Sequence, residues 1–197
     1  MSRPDFEALY SRVGTNLRSV PWALLEPHPS FVDWLDRGTA PAAGTALIVG
    51  CGLGDDAEEA ARRGFQVTAF DIAPSALRLA RRRFKKSVVT YQVADLLVTP
   101  DAWLEAFDLV VEIRNLQCVP RASRPAAIAA IAGCARPGGG VVFVRGMLAK
   151  RGTGGRGRQR LPLLPSELTA FTEAGLVERE FTELPNEGAF VAVYTRP

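Results

Sequence analysis

Apolar positions along the chain fall into two alternating rhythms. Short continuous runs at 45–50, 66–70, 88–93, 107–112 and 141–145 are bounded by glycine, proline or polar residues. Runs of that length predict strands buried on both faces of a parallel sheet. Between them lie stretches with helical signals. Residues 57–63 follow a glycine turn and stop at Gly64, and 74–84 opens with Pro74. The alanine-rich 122–135 is halted by Pro137-Gly138-Gly139-Gly140, and 163–174 begins around Pro165-Ser166-Glu167 and ends at Gly175. The last two apolar segments, 177–184 and 190–195, are joined by Pro185-Asn186-Glu187-Gly188 and predict a hairpin. The alternation predicts an α/β fold: a Rossmann-like, doubly wound, seven-stranded sheet, mostly parallel, with the last strand antiparallel.

The first 44 residues do not follow this rhythm. Phe6, Leu9, Tyr10 and Val13 share one face of a short helix predicted over 4–13. Residues 16–29 are broken by Pro21, Pro27 and Pro29 and carry Trp22 and His28, and Ser30 reads as the N-cap of a helix over 31–37. A Pro/Ala-rich linker at 39–44 leads into the first strand. One domain over 1–197 is expected, with 1–44 as a helical lid segment on a core at 45–197. A segment that only plugs a sheet edge would show the same apolar faces.

The opening unit 45–84 carries the candidate chemistry. Its first strand runs into Gly50-Cys51-Gly52-Leu53-Gly54, a turn whose missing Cβ atoms would let a ligand approach the backbone, and its second strand ends in Asp71. Strand, glycine turn, helix, strand and acid form the first half of a nucleoside-binding sheet. A dinucleotide fingerprint would require a third glycine where Asp55 stands, and Asp56 follows it. Two carboxylates there would repel a diphosphate, although a helix N-terminus by itself favours anions. S-adenosylmethionine has no phosphate, offers a ribose diol to Asp71, and carries ammonium and sulfonium cations that nearby acids favour. Alternatively, Asp55 and Asp56 only cap the helix.

Composition narrows the picture without redirecting it. Apolar residues make up 47% and charged residues 23% of the 197, as in ordinary globular chains. A net charge of +3 and a pI near 9.0 are too weak to argue for nucleic acid without a localised patch. Cys51, Cys118 and Cys134 are widely spaced, without a C-x-x-C pair, and His28 is the only histidine, so no metal site is expected. No apolar run is long enough to span a membrane and no signal-peptide core is evident, which predicts a cytoplasmic protein, monomeric or homodimeric. The segment 145–160 holds five glycines and six basic residues. It reads either as a flexible cationic flap over an acceptor or as a solvated loop.

These motifs, in this order, resemble the class I S-adenosylmethionine-dependent methyltransferases over roughly residues 21–145. The closest resemblance is to the thiopurine and halide/thiol methyltransferase branch. That branch shares the turn Gly50-Cys51-Gly52-Leu53-Gly54-Asp55-Asp56, and it lacks an acid two residues before the first glycine, where Ile48 stands. Phe70-Asp71-Ile72-Ala73-Pro74, the stretch 107–120, and a P-W-x-x-x-x-P-x-P pattern at Pro21, Trp22, Pro27 and Pro29 are matched as well.

The resemblance implies S-adenosyl-L-methionine as cofactor, S-adenosyl-L-homocysteine as product, and a small-molecule methyl acceptor. It implies that Gly50, Gly52 and Gly54 shape the cofactor turn beside Asp56, that Asp71 holds the ribose hydroxyls and that Ile72 lies against the adenine. Asp95 would take the adenine amino group beside Leu96, Glu112 would border the methionine portion, and Trp22 would close over that end. Departures at Ala23, Leu25 and Arg114 fall on the acceptor side, where Arg114 and Arg145 are expected to orient an anionic or heteroaromatic acceptor. Methylation at sulfur is favoured over nitrogen or oxygen, because a thiol needs little help to ionise and no base is evident. Alternatives are an RNA or protein methyltransferase using the basic loop and a cofactor-binding module without catalysis.

Overall fold

The computed structural model describes residues 5–149 and 161–197. Its centre is a seven-stranded sheet of order β3-β2-β1-β4-β5-β7-β6. The strands are β1 (Gly44–Val49), β2 (Phe65–Asp71), β3 (Thr90–Val93), β4 (Leu109–Ile113), β5 (Gly140–Met147), β6 (Val177–Leu184) and β7 (Ala189–Arg196). The helices are α1 (Phe6–Ser11), α2 (Pro29–Asp36), α3 (Asp55–Arg62), α4 (Pro74–Arg83), α5 (Arg124–Cys134) and α6 (Pro165–Glu173). Strands β1 to β5 pair in parallel, while β7 is antiparallel to both β5 and β6. The sheet expected from the sequence is therefore present. The chain returns with β7 between β5 and β6, leaving β6 at the edge. Strand chemistry accounts for that order: the apolar AFVAVY of β7 is buried, whereas VEREFTEL of β6 places charges along the exposed edge, where they discourage pairing with another sheet.

Alternate residues of each central strand feed two apolar layers. On one face Leu47, Val49, Val110, Val142 and Val144 pack with Ile128 and Ile131 of α5 and Leu168 and Phe171 of α6. On the other, Ala46, Ile48, Val67, Val111 and Phe143 pack with Ala57 and Ala60 of α3, Leu77 and Ala80 of α4, and Phe31 and Trp34 of α2. The N-terminal segment thus divides its work. Helix α2 covers the sheet face, its Trp34 ring centroid 5.0 Å from that of Phe143, whereas Tyr10 and Val13 of the α1 region pack on Ala73, Ala76 and Leu79 at the start of α4.

Three local expectations change. His28, not Ser30, is the N-cap of α2: its Nδ1 accepts the Ser30 N–H at 3.2 Å, and Pro29 occupies the first turn. Neither Asp55 nor Asp56 caps α3, whose N-cap is Gly54 in a left-handed conformation at φ 91°. The fifth strand runs on through Met147, with Leu148 bridged to Leu163, so the first residues of the expected flap belong to the sheet. The remainder of that expected flap, 150–160, lies outside the described residues. Among the described residues no helix is long and apolar enough to cross a membrane.

Candidate functional site

The parallel strands turn in opposite directions on either side of β1 and β4, and the crevice opened there at their carboxyl ends is where open α/β sheets hold ligands. A cleft with about 1200 Å³ of empty space lies in that place, part of it continuous with solvent. Its wall is built from the ends of β1, β2 and β4, the loop after β3, and the N-terminal segment through Phe6, Tyr10, Trp22 and His28.

The glycine turn earns its composition from backbone geometry. Gly50, Gly52 and Gly54 have φ values of 56°, 53° and 91°, in the region that residues with a Cβ avoid. The space left by their missing Cβ atoms is filled by protein, which differs from the sequence expectation. Asn115 occupies it at Gly50, the Tyr10 hydroxyl at Gly52 and the Tyr91 hydroxyl at Gly54. Asn115 donates from Nδ2 to Val49 O at 2.7 Å and so ties the end of β1 to the loop after β4. Gly50 and Gly52 line the cleft; Gly54 stands behind it.

Asp71 ends β2 in the cleft wall, and its two oxygens accept backbone N–H groups, Oδ2 from Gly52 at 2.9 Å and Oδ1 from Ala73 at 2.9 Å. Ile72, Phe70 and Leu96 provide apolar wall beside it. The two acids after the turn separate in role. Asp55 forms a bidentate pair with Arg83, at 2.6 and 2.7 Å, so its charge is matched within the protein. Asp56 is buried in the cleft wall and accepts the His28 N–H at 2.7 Å; burial above all, with Asp55 and Glu59 nearby, raises its pKa to about 6. The case against a diphosphate therefore rests on Asp56 and Asp71 and not on a pair of unmatched acids.

Of the remaining expected site residues, Trp22 and Arg114 line the cleft. Trp22 donates from Nε1 to the Tyr10 hydroxyl at 3.0 Å and meets Phe6 and Tyr10 edge-on. Asp95 is set back from the wall formed by Ala94 and Leu96, and its Oδ1 accepts the Leu97 N–H at 2.9 Å. Glu112 is fully buried behind the cleft, its Oε1 accepting N–H groups of Asn115 and Leu116; burial raises its pKa to about 7, and Arg145 works against that rise. Arg145 is likewise set back and pairs with Glu187 at 2.6 Å, because β5 continues past it and turns its guanidinium toward the β6–β7 turn. The sequence reading missed Tyr10, His28, Asn115 and Cys118 in the cleft wall. For His28 a signal existed, since it lies inside the Pro/Trp pattern; Asn115 lies in the polar stretch after the fourth strand.

Comparison with known proteins agrees with this geometry. Residues 46–139 match the family model described as a methyltransferase domain. Over that stretch the chain is similar to a methyltransferase domain. Ubiquinone biosynthesis O-methyltransferases from Azoarcus sp. (strain BH72) and Hahella chejuensis (strain KCTC 2396) are both 34% identical to it over 122 residues. Those matches cover 61% of this chain and 52% and 50% of the relatives, so the chain spans about half the length of the curated relatives it matches. These relatives are named as O-methyltransferases, not as members of the thiopurine and halide/thiol branch. The N-methyltransferase NodS from Bradyrhizobium japonicum WM9, solved with S-adenosyl-L-homocysteine, shares the fold at a TM-score of 0.74 and 22% identity, covering 98% of this chain and 100% of that one. The matched stretch contains the carboxyl ends of β1, β2 and β4 and the loop after β3, which line the cleft.

Proposed function

We propose that this chain transfers a methyl group from S-adenosylmethionine to a small-molecule acceptor. The observation that carries the reading is the Asp71 carboxylate, aimed into the cleft with both oxygens oriented by backbone N–H groups of the glycine turn and of the loop leading into α4. A rigid acceptor pair of this kind suits a ribose diol, and the donor set of the cleft fits the cofactor. Asp71 would hold the ribose, Ile72 and Leu96 would flank the adenine, and the backbone around Gly50 and Gly52 would run beside the amino-acid portion with Trp22 and Tyr10 across it. Asp95 would contribute through its turn, which positions Leu96, and Glu112 through the Asn115 loop it braces.

When bound, the cofactor supplies an electrophilic methyl carbon on a sulfonium. The chain's own contribution is to exclude water and align the acceptor, and alignment of this kind can lower a barrier by roughly 7 to 11 kcal/mol. Apart from Asp56, whose pKa is raised to about 6 and whose Oδ1 already accepts the His28 N–H, the cleft offers little general-base capacity. His28 has its Nδ1 occupied and a pKa lowered to about 4, first by burial and then by Arg145 and Arg114, and Glu112 is sealed behind the wall. Acceptors that need no base suit such a site: a thiol, an acidic hydroxyl or an amine. Sulfur remains the favoured atom on that ground, with oxygen next given the names of the relatives. Arg114, in the cleft wall beside the Asn115 loop, favours an anionic acceptor.

Titration calorimetry with S-adenosylhomocysteine, NAD and ATP tests the cofactor assignment, and binding of NAD or ATP in place of S-adenosylhomocysteine would refute it. Release of S-adenosylhomocysteine against panels of thiols, phenols and amines then identifies the acceptor class.

A further inference from the structure

His28 has a bonding pattern that its helix-capping role does not exhaust. Its ring nitrogen Nδ1 accepts the Ser30 N–H, which requires a lone pair there, so the proton of the neutral ring sits on Nε2. The residue is 8% exposed and forms part of the cleft wall, and the hydrogen bond its ring makes among the described residues is the one accepted by Nδ1. Burial above all, with the positive charges of Arg145 and Arg114 acting in the same direction, keeps the ring uncharged. The backbone N–H of the same residue is fastened to Asp56 on α3, so the imidazole is held from two sides. A neutral N–H donor in a low-exposure wall beside guanidinium charge is arranged to meet an oxygen anion, not to remove a proton.

We propose that His28 is the specificity-determining residue of the acceptor subsite, donating from Nε2 to a carboxylate on a small acceptor, while Arg114 supplies the matching charge. The inference rests on the methyltransferase reading above and assigns the class of acceptor to it: a small carboxylate-bearing molecule. A hydrogen bond to a charged oxygen in such a place is strong, and truncating the donor should weaken carboxylate binding tenfold or more.

Because His28 is the only histidine in the chain, tag-free protein gives a single imidazole signal in long-range proton–nitrogen NMR. Benzoate and its neutral isostere benzamide serve as probes, each titrated into protein saturated with S-adenosylhomocysteine. The expected result is an Nε2–H tautomer that does not ionise between pH 5 and 8, shifts on benzoate addition, and responds much less to benzamide. His28→Gln, which keeps an N–H donor, should retain much of the benzoate affinity. His28→Asn keeps a favoured helix cap but shortens the donor's reach, so it should fold, bind S-adenosylhomocysteine like the parent, and bind benzoate at least tenfold more weakly. An Nδ1–H tautomer, an ionisation near the ordinary histidine value, equal response to the two probes, or unchanged benzoate affinity in His28→Asn would each overturn the proposal. Failure to bind S-adenosylhomocysteine would count instead against the methyltransferase reading, and the two failures are distinguishable.

Discussion

Substituting Gly50 by alanine probes how the crevice between β1 and β4 is held open. At φ 56° an alanine pays the left-handed penalty of about 1 to 2 kcal/mol. Its Cβ would also lie 2.5 Å from Asn115 Cγ and 3.0 Å from Nδ2, inside contact distance, so the amide must leave. Leaving breaks the bonds from Nδ2 to Val49 O at 2.7 Å and to Ile113 O at 3.1 Å. Each is worth roughly 0.5 to 1.5 kcal/mol, which brings the combined loss to about 2 to 5 kcal/mol. Urea unfolding of Gly50→Ala, Asn115→Ala and the double variant separates the two contributions as a double-mutant cycle. With the amide already gone, only the backbone penalty remains, so Gly50→Ala should be milder in the Asn115→Ala background by about 1 to 3 kcal/mol. Equal losses in the two backgrounds would refute the claim that the Asn115 side chain is what requires glycine there.

Other variants test the site itself. Asp71→Ala should weaken S-adenosylhomocysteine binding about 10- to 100-fold by calorimetry, the scale of charge-assisted hydrogen bonds to a diol; parental affinity would remove Asp71 from the ribose. Arg114→Ala should raise the acceptor KM and leave S-adenosylhomocysteine affinity alone, and Arg114→Gly should be the more stable of the two by about 1 kcal/mol because φ at this position is 66°. Glu112 carries a pH signature. Its pKa is raised to about 7 in the fold, so the folded chain holds its proton while the unfolded chain releases it above the ordinary carboxylate value of about 4.5. The associated stability is fully present below that lower value and is lost as pH rises through about 7, at a slope approaching 1.4 kcal/mol per unit between them. Compared with Glu112→Gln, the parent should lose stability across that window when unfolding is followed by denaturant; parallel pH curves would show that folding leaves the Glu112 pKa unshifted.

The reach of the sequence is clearest at Asp71 and shortest at Arg145. Strand, glycine turn, helix, strand and acid were all legible because each depends on local chemistry: apolar runs for buried strands, positive φ for the turn, and a lone acid at a strand end. That information named the ligand-facing edge and placed Gly50, Gly52, Asp56 and Asp71 in one cleft, while Ile72 and Leu96, which line it too, were expected from the family resemblance alone. What local pattern could not carry was the choice of partner across long sequence distances. Asp55 meets Arg83 from the far end of α4, Asp56 meets the His28 backbone from the N-terminal segment, and Asn115 fills the space at Gly50. Those three contacts decide which acid still faces a ligand, where the His28 backbone is anchored, and why glycine is required at position 50. Hydrophobic periodicity selects a face for each element, but hydrogen bonds and ion pairs form only once packing has brought distant chain segments within about 3 Å, and that packing exists only in the folded molecule.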